Sequence, residues 1–369
     1  MTDCSYIMTS PKTTRNTMLD VFAGVDIGGT RIKIGLSTKS GELISSEVLE
    51  TRGCRDADCF VEMLAGTIAR LTDAASVRLV CAGVGCPGRI NFASGTVVWL
   101  RSKLEFLEGV SLASQLEEQL RCPVVCDNDV NTILAGEMRF GAARGFRDVV
   151  AITVGTGIGG ALAVGGNMVR GHSWAAGHFG YMSIDPDGPR HVCGNTGVIE
   201  DYASQSGIPG QVRRALAAGE ASPLTKLVAA GEEPGLKELF DAAALSDPLA
   251  SRLVEKLTSN LGLLAANLIY AFDPELVLIG GGIVACRLDI AEAIRREAAG
   301  RLDCLQESAT KIMPMALGDA GGVLGGAALA MDAISQTQHG RRAKEEHRDE
   351  KREHSHAPLG GIVDGETRS

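Results

Sequence analysis

Residues 21–38 read VFAGVDIGGTRIKIGLST. Two apolar runs, VFAGVDI and RIKIGLS, flank Gly28-Gly29-Thr30. Apolar alternation on both sides of a glycine pair predicts a β-hairpin. Glycines at its turn let backbone N–H groups close on an anion, and the Thr30 hydroxyl adds a donor. Asp26 cannot donate to an anion, but it suits a Mg2+ ion or its water shell. A plain hairpin turn, with Asp as turn former, is the alternative reading.

The same grammar returns at 148–166, DVVAITVGTGIGGALAVGG. Gly155, Thr156, Gly157, Gly159 and Gly160 fall within a G-x-G-x-x-G pattern. A dinucleotide fold would place a helix directly after it. Here ALAVGG follows, which reads as a strand, so the pattern predicts a phosphate-binding hairpin. A third run, Gly280-Gly281-Gly282, ends the apolar strand 276–279 and permits flat approach of a nucleoside. Two halves, each opening on a glycine-turn hairpin, predict a duplicated α/β fold with a cleft between two lobes.

Between these turns, 42–50 reads as a third strand, 77–88 as a strand ending in a Gly/Pro loop, and 123–129 as a strand running into a polar loop. Apolar periodicity predicts helices over 59–72, with Phe60, Met63, Leu64, Ile68 and Leu71 on one face, and over 112–120 and 131–140. Further helices are predicted over about 247–272, over 288–299, and in the small-residue run GGVLGGAALAMDAI at 321–334.

The chain has 369 residues, 36 basic and 45 acidic, for a net charge of −9. Apolar residues make up 45% and charged residues 22%, which excludes wholesale disorder. The acidic balance argues against a general nucleic-acid binder. No apolar run reaches the 18 residues of a membrane span. Ten scattered cysteines read as reduced thiols, so a cytoplasmic protein is expected. Glycine is the compositional outlier, with 46 residues. The expected organisation is a disordered leader over 1–20, an N-terminal lobe over 21–127 with 318–333 packing back on it, a C-terminal lobe over 128–317, and a charged, disordered tail over 334–369. The leader also suits an organelle transit peptide or a true start at Met18. Four of the seven histidines lie in the tail, and His172, His178 and His191 share one 20-residue window.

The segments VDIGGT, GCPGRI, CDND, TVGTGIGG, GHFGY, CGNTG, EDYAS, VLIGGGI and GDAGGVLGGAA occur in the order found in ROK (repressor, open reading frame, kinase) proteins, and the chain resembles that family from about 21 to 333. The resemblance implies an actin/hexokinase-like, ribonuclease H-like fold that closes over ATP and a sugar. It implies an ATP- and Mg2+-dependent sugar kinase, and a homodimer. The family's repressors carry an N-terminal helix-turn-helix, for which the residues before the first strand are too few, so the kinase branch is expected. Asp129 matches the family's catalytic base, a role that the chemistry supports: a sugar hydroxyl attacking the γ-phosphorus must lose its proton to a carboxylate. The same position also suits a helix N-cap. Asn128, Glu200, Gly88 and Arg89 match sugar-side positions. Asp26, Gly28, Gly29, Thr30 and Lys33 match the first phosphate segment, Gly155 to Gly160 the second, and Gly280 to Gly282 the adenosine side.

The chain departs from the family in two places. Its sugar-binding Glu stands here as His178, a change also found in some N-acetylmannosamine kinases, and its zinc-ligand His stands as Tyr181. Of the zinc cysteines only Cys193 remains, with His191 beside it. Two candidates do not make a four-ligand site, so no structural zinc is expected. Lys103, in Ser-Lys-Leu, resembles the Thr-Lys-Leu of the animal N-acetylmannosamine kinase domain. Arg89, Lys103, His178 and Tyr181 are the specificity candidates. The expected substrate is the 6-hydroxyl of a hexose or close analogue. An N-acylhexosamine kinase and a non-catalytic sugar sensor on the same fold are the alternatives.

Overall fold

The computed structural model describes residues 18–100, 104–305 and 309–336. Lys103, nearly all of the expected leader and nearly all of the expected tail lie outside them. The opening stretch forms β1 (Asp20–Ile27) and β2 (Arg31–Ser37), paired antiparallel with Asp26 opposite Lys33. Next come β3 (Leu43–Glu50), α1 (Ala57–Ala75), β4 (Arg78–Cys86), β5 (Arg89–Asn91), β6 (Thr96–Trp99), α2 (Leu112–Leu120), β7 (Val124–Asn128) and α3 (Asp129–Phe140). The second half holds β8 (Val149–Val154), β9 (Ile158–Val164), β10 (Asn167–Met168), α4 (Glu200–Ala203), α5 (Ile208–Ala217), α6 (Thr225–Ala229), α7 (Leu236–Ala244), α8 (Pro248–Phe272), β11 (Leu276–Gly280), α9 (Gly282–Cys286), α10 (Ile290–Ala299) and β12 (Lys311–Pro314). A last helix, α11, runs over 321–336.

The duplication predicted from the two hairpins is visible in the sheets. One has strand order β3-β2-β1-β4-β7 and the other β10-β9-β8-β11-β12. In each, an antiparallel hairpin continues into parallel strands. Parallel strands covered on both faces need apolar runs, and the central ones comply: Val149 to Ile152 and Leu276 to Ile279 are buried throughout.

Helix ends follow their caps rather than their periodicity. α1 starts two residues before the predicted 59 because the Asp56 side chain accepts from the Cys59 N–H, and it stops at Ser76, which is left-handed at φ 53°. It buries Phe60, Leu64, Ile68 and Leu71. α8 starts on Pro248 after the Asp247 cap. Residues 205–246, where no helix was predicted, contain α5 to α7.

α11 is where the glycine excess becomes architectural. A Cβ on Gly24 of β1 would overlap the Val323 carbonyl, and one on Gly83 of β4 would overlap the Gly326 carbonyl. The helix thus lies backbone to backbone on the first sheet, a closeness that no larger residue permits. It also abuts α3, where Gly136 faces Gly325. Buried Glu137 of α3 joins this corner by accepting from the Ala142 N–H at 2.7 Å and the Leu317 N–H at 2.9 Å.

Candidate active site

A cavity of about 480 Å³ is lined by turn residues of both hairpins and by the start of α3. Of the residues singled out from sequence, Gly29, Gly88, Asn128, Asp129, Gly155, Thr156, Gly157, Gly159, Gly160, His178, Tyr181, Glu200 and Gly281 line it. Asp26, Gly28, Thr30, Lys33, Arg89, Gly280 and Gly282 do not. Lys33 donates to the Asp319 carbonyl at 3.1 Å, just ahead of α11. Gly280 faces the Met315 side chain, a packing reason for glycine rather than a ligand one. Arg89 lies on β5, and its buried Nε has no hydrogen-bond partner among the described residues. Sequence reasoning missed Pro87, Trp99 and Leu100, which complete one wall. Apolar residues at a strand end carry no signal of their own.

Asp129 opens α3, and the helix cap is Asn128 rather than Asp129. The Asn128 Oδ1 accepts from the N–H groups of Val130 and Asn131, and its Nδ2 donates to the Gly88 carbonyl at 3.0 Å. Asn128 therefore has little hydrogen-bonding capacity left for a ligand. The Asp129 carboxylate accepts from the Val130 N–H at 3.0 Å. Burial pushes the Asp129 carboxyl up to about 6, and the negative charge of Asp26 adds to the rise, while hydrogen bonding from Val130, the Asn128 side chain and its own backbone pulls it down. Asp26 is itself raised by burial, opposed by Lys33. A carboxyl near 6 is a stronger base than an ordinary carboxylate and is still ionised at neutral pH.

Behind it, buried Asp127 receives the Asn128 N–H at 2.7 Å, the Asn131 amide at 2.9 Å and the Arg170 Nε at 2.7 Å. Arg170 also lies over the Phe92 ring at 3.5 Å. The pair ties the strand that carries Asn128 to the segment that leads to His178.

Glu200 faces the second glycine turn. Its Oε2 accepts from the Ile158 N–H at 2.7 Å. A Cβ on Gly157 would overlap that oxygen, so the turn is glycine there because the carboxylate lies against it. Burial raises the Glu200 carboxyl, while the Ile158 N–H and His191 pull it back. The His191 Nε2 lies 3.4 Å from the Glu200 Oε1, and its Nδ1 accepts from the Cys193 N–H at 3.2 Å. That assignment puts the ring proton on Nε2, facing Glu200. Tyr181 stands between His178 and His191, with ring centroids 5.7 Å and 5.5 Å away. Among the described residues, no three of His, Cys, Asp or Glu are grouped to hold a metal ion.

Residues 22–333 match the ROK family. The chain belongs to the ROK family. This ROK protein is 29% identical over 311 residues to a glucokinase of Thermotoga maritima, which covers 84% of this chain and 97% of that one. A ROK family glucokinase from Streptomyces griseus, solved in complex with glucose and AMPPNP, matches with a TM-score of 0.70 at 30% identity, covering 85% of this chain and 99% of that one. A ROK family transcriptional regulator, a homologue of the E. coli MLC protein, matches with a TM-score of 0.75 at 26% identity, covering 85% of this chain and 78% of that one. The ROK protein thus has the actin/hexokinase-like fold. Among its described residues no helix is long and apolar enough to cross a membrane.

Proposed function

We infer that the chain is an ATP-dependent sugar kinase, and we propose that Asp129 takes the proton from the attacking hydroxyl, the 6-hydroxyl of a hexose or close analogue. The observation that carries this reading is the Asp129 carboxylate, raised to about 6, lining one cavity with both glycine turns and with Glu200. The turns offer backbone N–H groups to the phosphates. Glu200 accepts from sugar hydroxyls, and His178 and Tyr181 shape the sugar side. The two lobes, 21–127 with 318–333 and 128–317, close over both substrates and exclude water.

Mg2+ fits this donor set. Bound with ATP it needs one or two protein carboxylates besides phosphate oxygens, and Asp26 lies near enough to Asp129 to raise it. Asp26 would hold the ion or its water shell. Mg2+ neutralises charge on the phosphates being transferred. The proton of the hydroxyl goes to an Asp129 carboxylate oxygen, at the start of the helix that Asn128 caps.

His178 in the cavity wall favours a second reading, an N-acylhexosamine kinase. The likeness to a ROK transcriptional regulator supports a third, a sugar sensor without turnover. Asp129 opposes the sensor, because binding alone has no use for a raised carboxyl at the phosphate turns. ADP release measured with hexoses and N-acylhexosamines discriminates the three. Turnover with hexoses is expected. Preference for N-acyl sugars supports the second reading, and sugar binding without ADP release the third.

A further inference from the structure

Cys54 and Cys59 make a contact that the candidate site does not use. Their sulfurs lie 2.6 Å apart, about half an ångström beyond the length of a disulfide bond. Cys59 is exposed and Cys54 half-buried, so solutes reach the pair. The Asp56 cap fixes the Cys59 backbone in the first turn of α1. Burial, with the neighbouring Cys59 thiol adding to it, pushes the Cys54 thiol up to about 11, and Cys59, the exposed sulfur of the two, is the one that an oxidant meets first.

The pair joins the loop between β3 and α1, where Cys54 lies, to the first turn of α1, where Cys59 lies, and that loop supports the first glycine turn. Buried Thr51 donates its N–H to the Thr30 carbonyl at 3.0 Å and its hydroxyl to the Gly28 carbonyl at 2.8 Å. We propose that Cys54 and Cys59 are a reversible oxidation site whose disulfide fixes residues 51–56 behind the glycine turn. The oxidant is a hydroperoxide. Its O–O bond breaks as one oxygen goes to the Cys59 sulfur, giving a sulfenic acid and an alcohol. The Cys54 sulfur then displaces that oxygen, the S–S bond forms, and water leaves with the remaining thiol proton. A dithiol reductant returns both thiols.

Trypsin tests this directly, because Arg55 separates the two cysteines. The full chain is treated with tert-butyl hydroperoxide, alkylated and digested. Peptide 53–55 is expected joined to peptide 56–70, and parted by dithiothreitol. Amide hydrogen exchange over 51–56 is expected to slow by about threefold or more on oxidation. Cys59→Ser, at an exposed position, removes both effects. Separate alkylation of both peptides after oxidation overturns the proposal. So does a joined species without slower exchange, or either effect persisting in Cys59→Ser.

Discussion

Asp129 is the proposed general base, and its raised carboxyl makes three outcomes specific. Asp129→Asn is expected to lower kcat by about 10²- to 10⁴-fold, the usual contribution of a general base, with the sugar KM little changed. In the wild type, kcat/KM should fall with a slope of one proton below about pH 6, where the carboxyl protonates. The sign for stability is opposite to that for activity. The folded state raises this acid above its unfolded value, so it favours the protonated form and loses stability as pH climbs from about 4 to 6. Asp129→Asn should therefore be more stable than wild type at pH 7.5, by up to about 3 kcal/mol for a rise of this size, and of equal stability near pH 4. Urea unfolding at the two pH values checks it. At Gly157, an added methyl meets the Glu200 Oε2. Gly157→Ala is expected to raise the sugar KM about tenfold or more while the fold persists, since one displaced carboxylate hydrogen bond is worth about 1.5–3 kcal/mol.

At the scale of elements, the site depends on contacts far apart in sequence. Buried Asp127 pairs with half-buried Arg170, and removing one partner leaves the other charge uncompensated. Asp127→Ala is expected to cost about 3–5 kcal/mol, measured as a drop in the urea midpoint. The same elements mark how far the sequence could be read. The hairpins, the third strand, α2 to the residue and the glycine turns were legible, because local periodicity and turn chemistry dictate them. Asn128 and Asp129 were legible as a motif, but not their division of labour: which of two adjacent residues caps a helix depends on the Gly88 carbonyl reaching Asn128. Glu137 was illegible, since its partner Leu317 is 180 positions away. Trp99 and Leu100 look like any buried strand end. α5 and α7 are amphipathic but only ten and nine residues long, too short to stand alone, and they pack on α8.

The described residues form two five-stranded sheets of one topology and a two-stranded β5-β6 ribbon, with α11 laid flat on the first five-stranded sheet. The chain's net charge of −9 does not oppose the proposed anionic ligand, which backbone N–H groups of the glycine turns would meet. Because both hairpins contribute to one cavity, a ligand that bridges them stabilises the fold as a whole. A bound sugar at about 100 times its Kd should add about 2.7 kcal/mol of stability, read as a rise in the thermal midpoint. The central claim is that this cavity transfers phosphate from ATP to a sugar hydroxyl. The most direct measurement is ADP release by the purified chain with Mg2+-ATP across a panel of hexoses and N-acylhexosamines, wild type beside Asp129→Asn. Sugar-dependent release that vanishes in the variant is predicted. Equal release from both proteins, or none with any sugar, would contradict it.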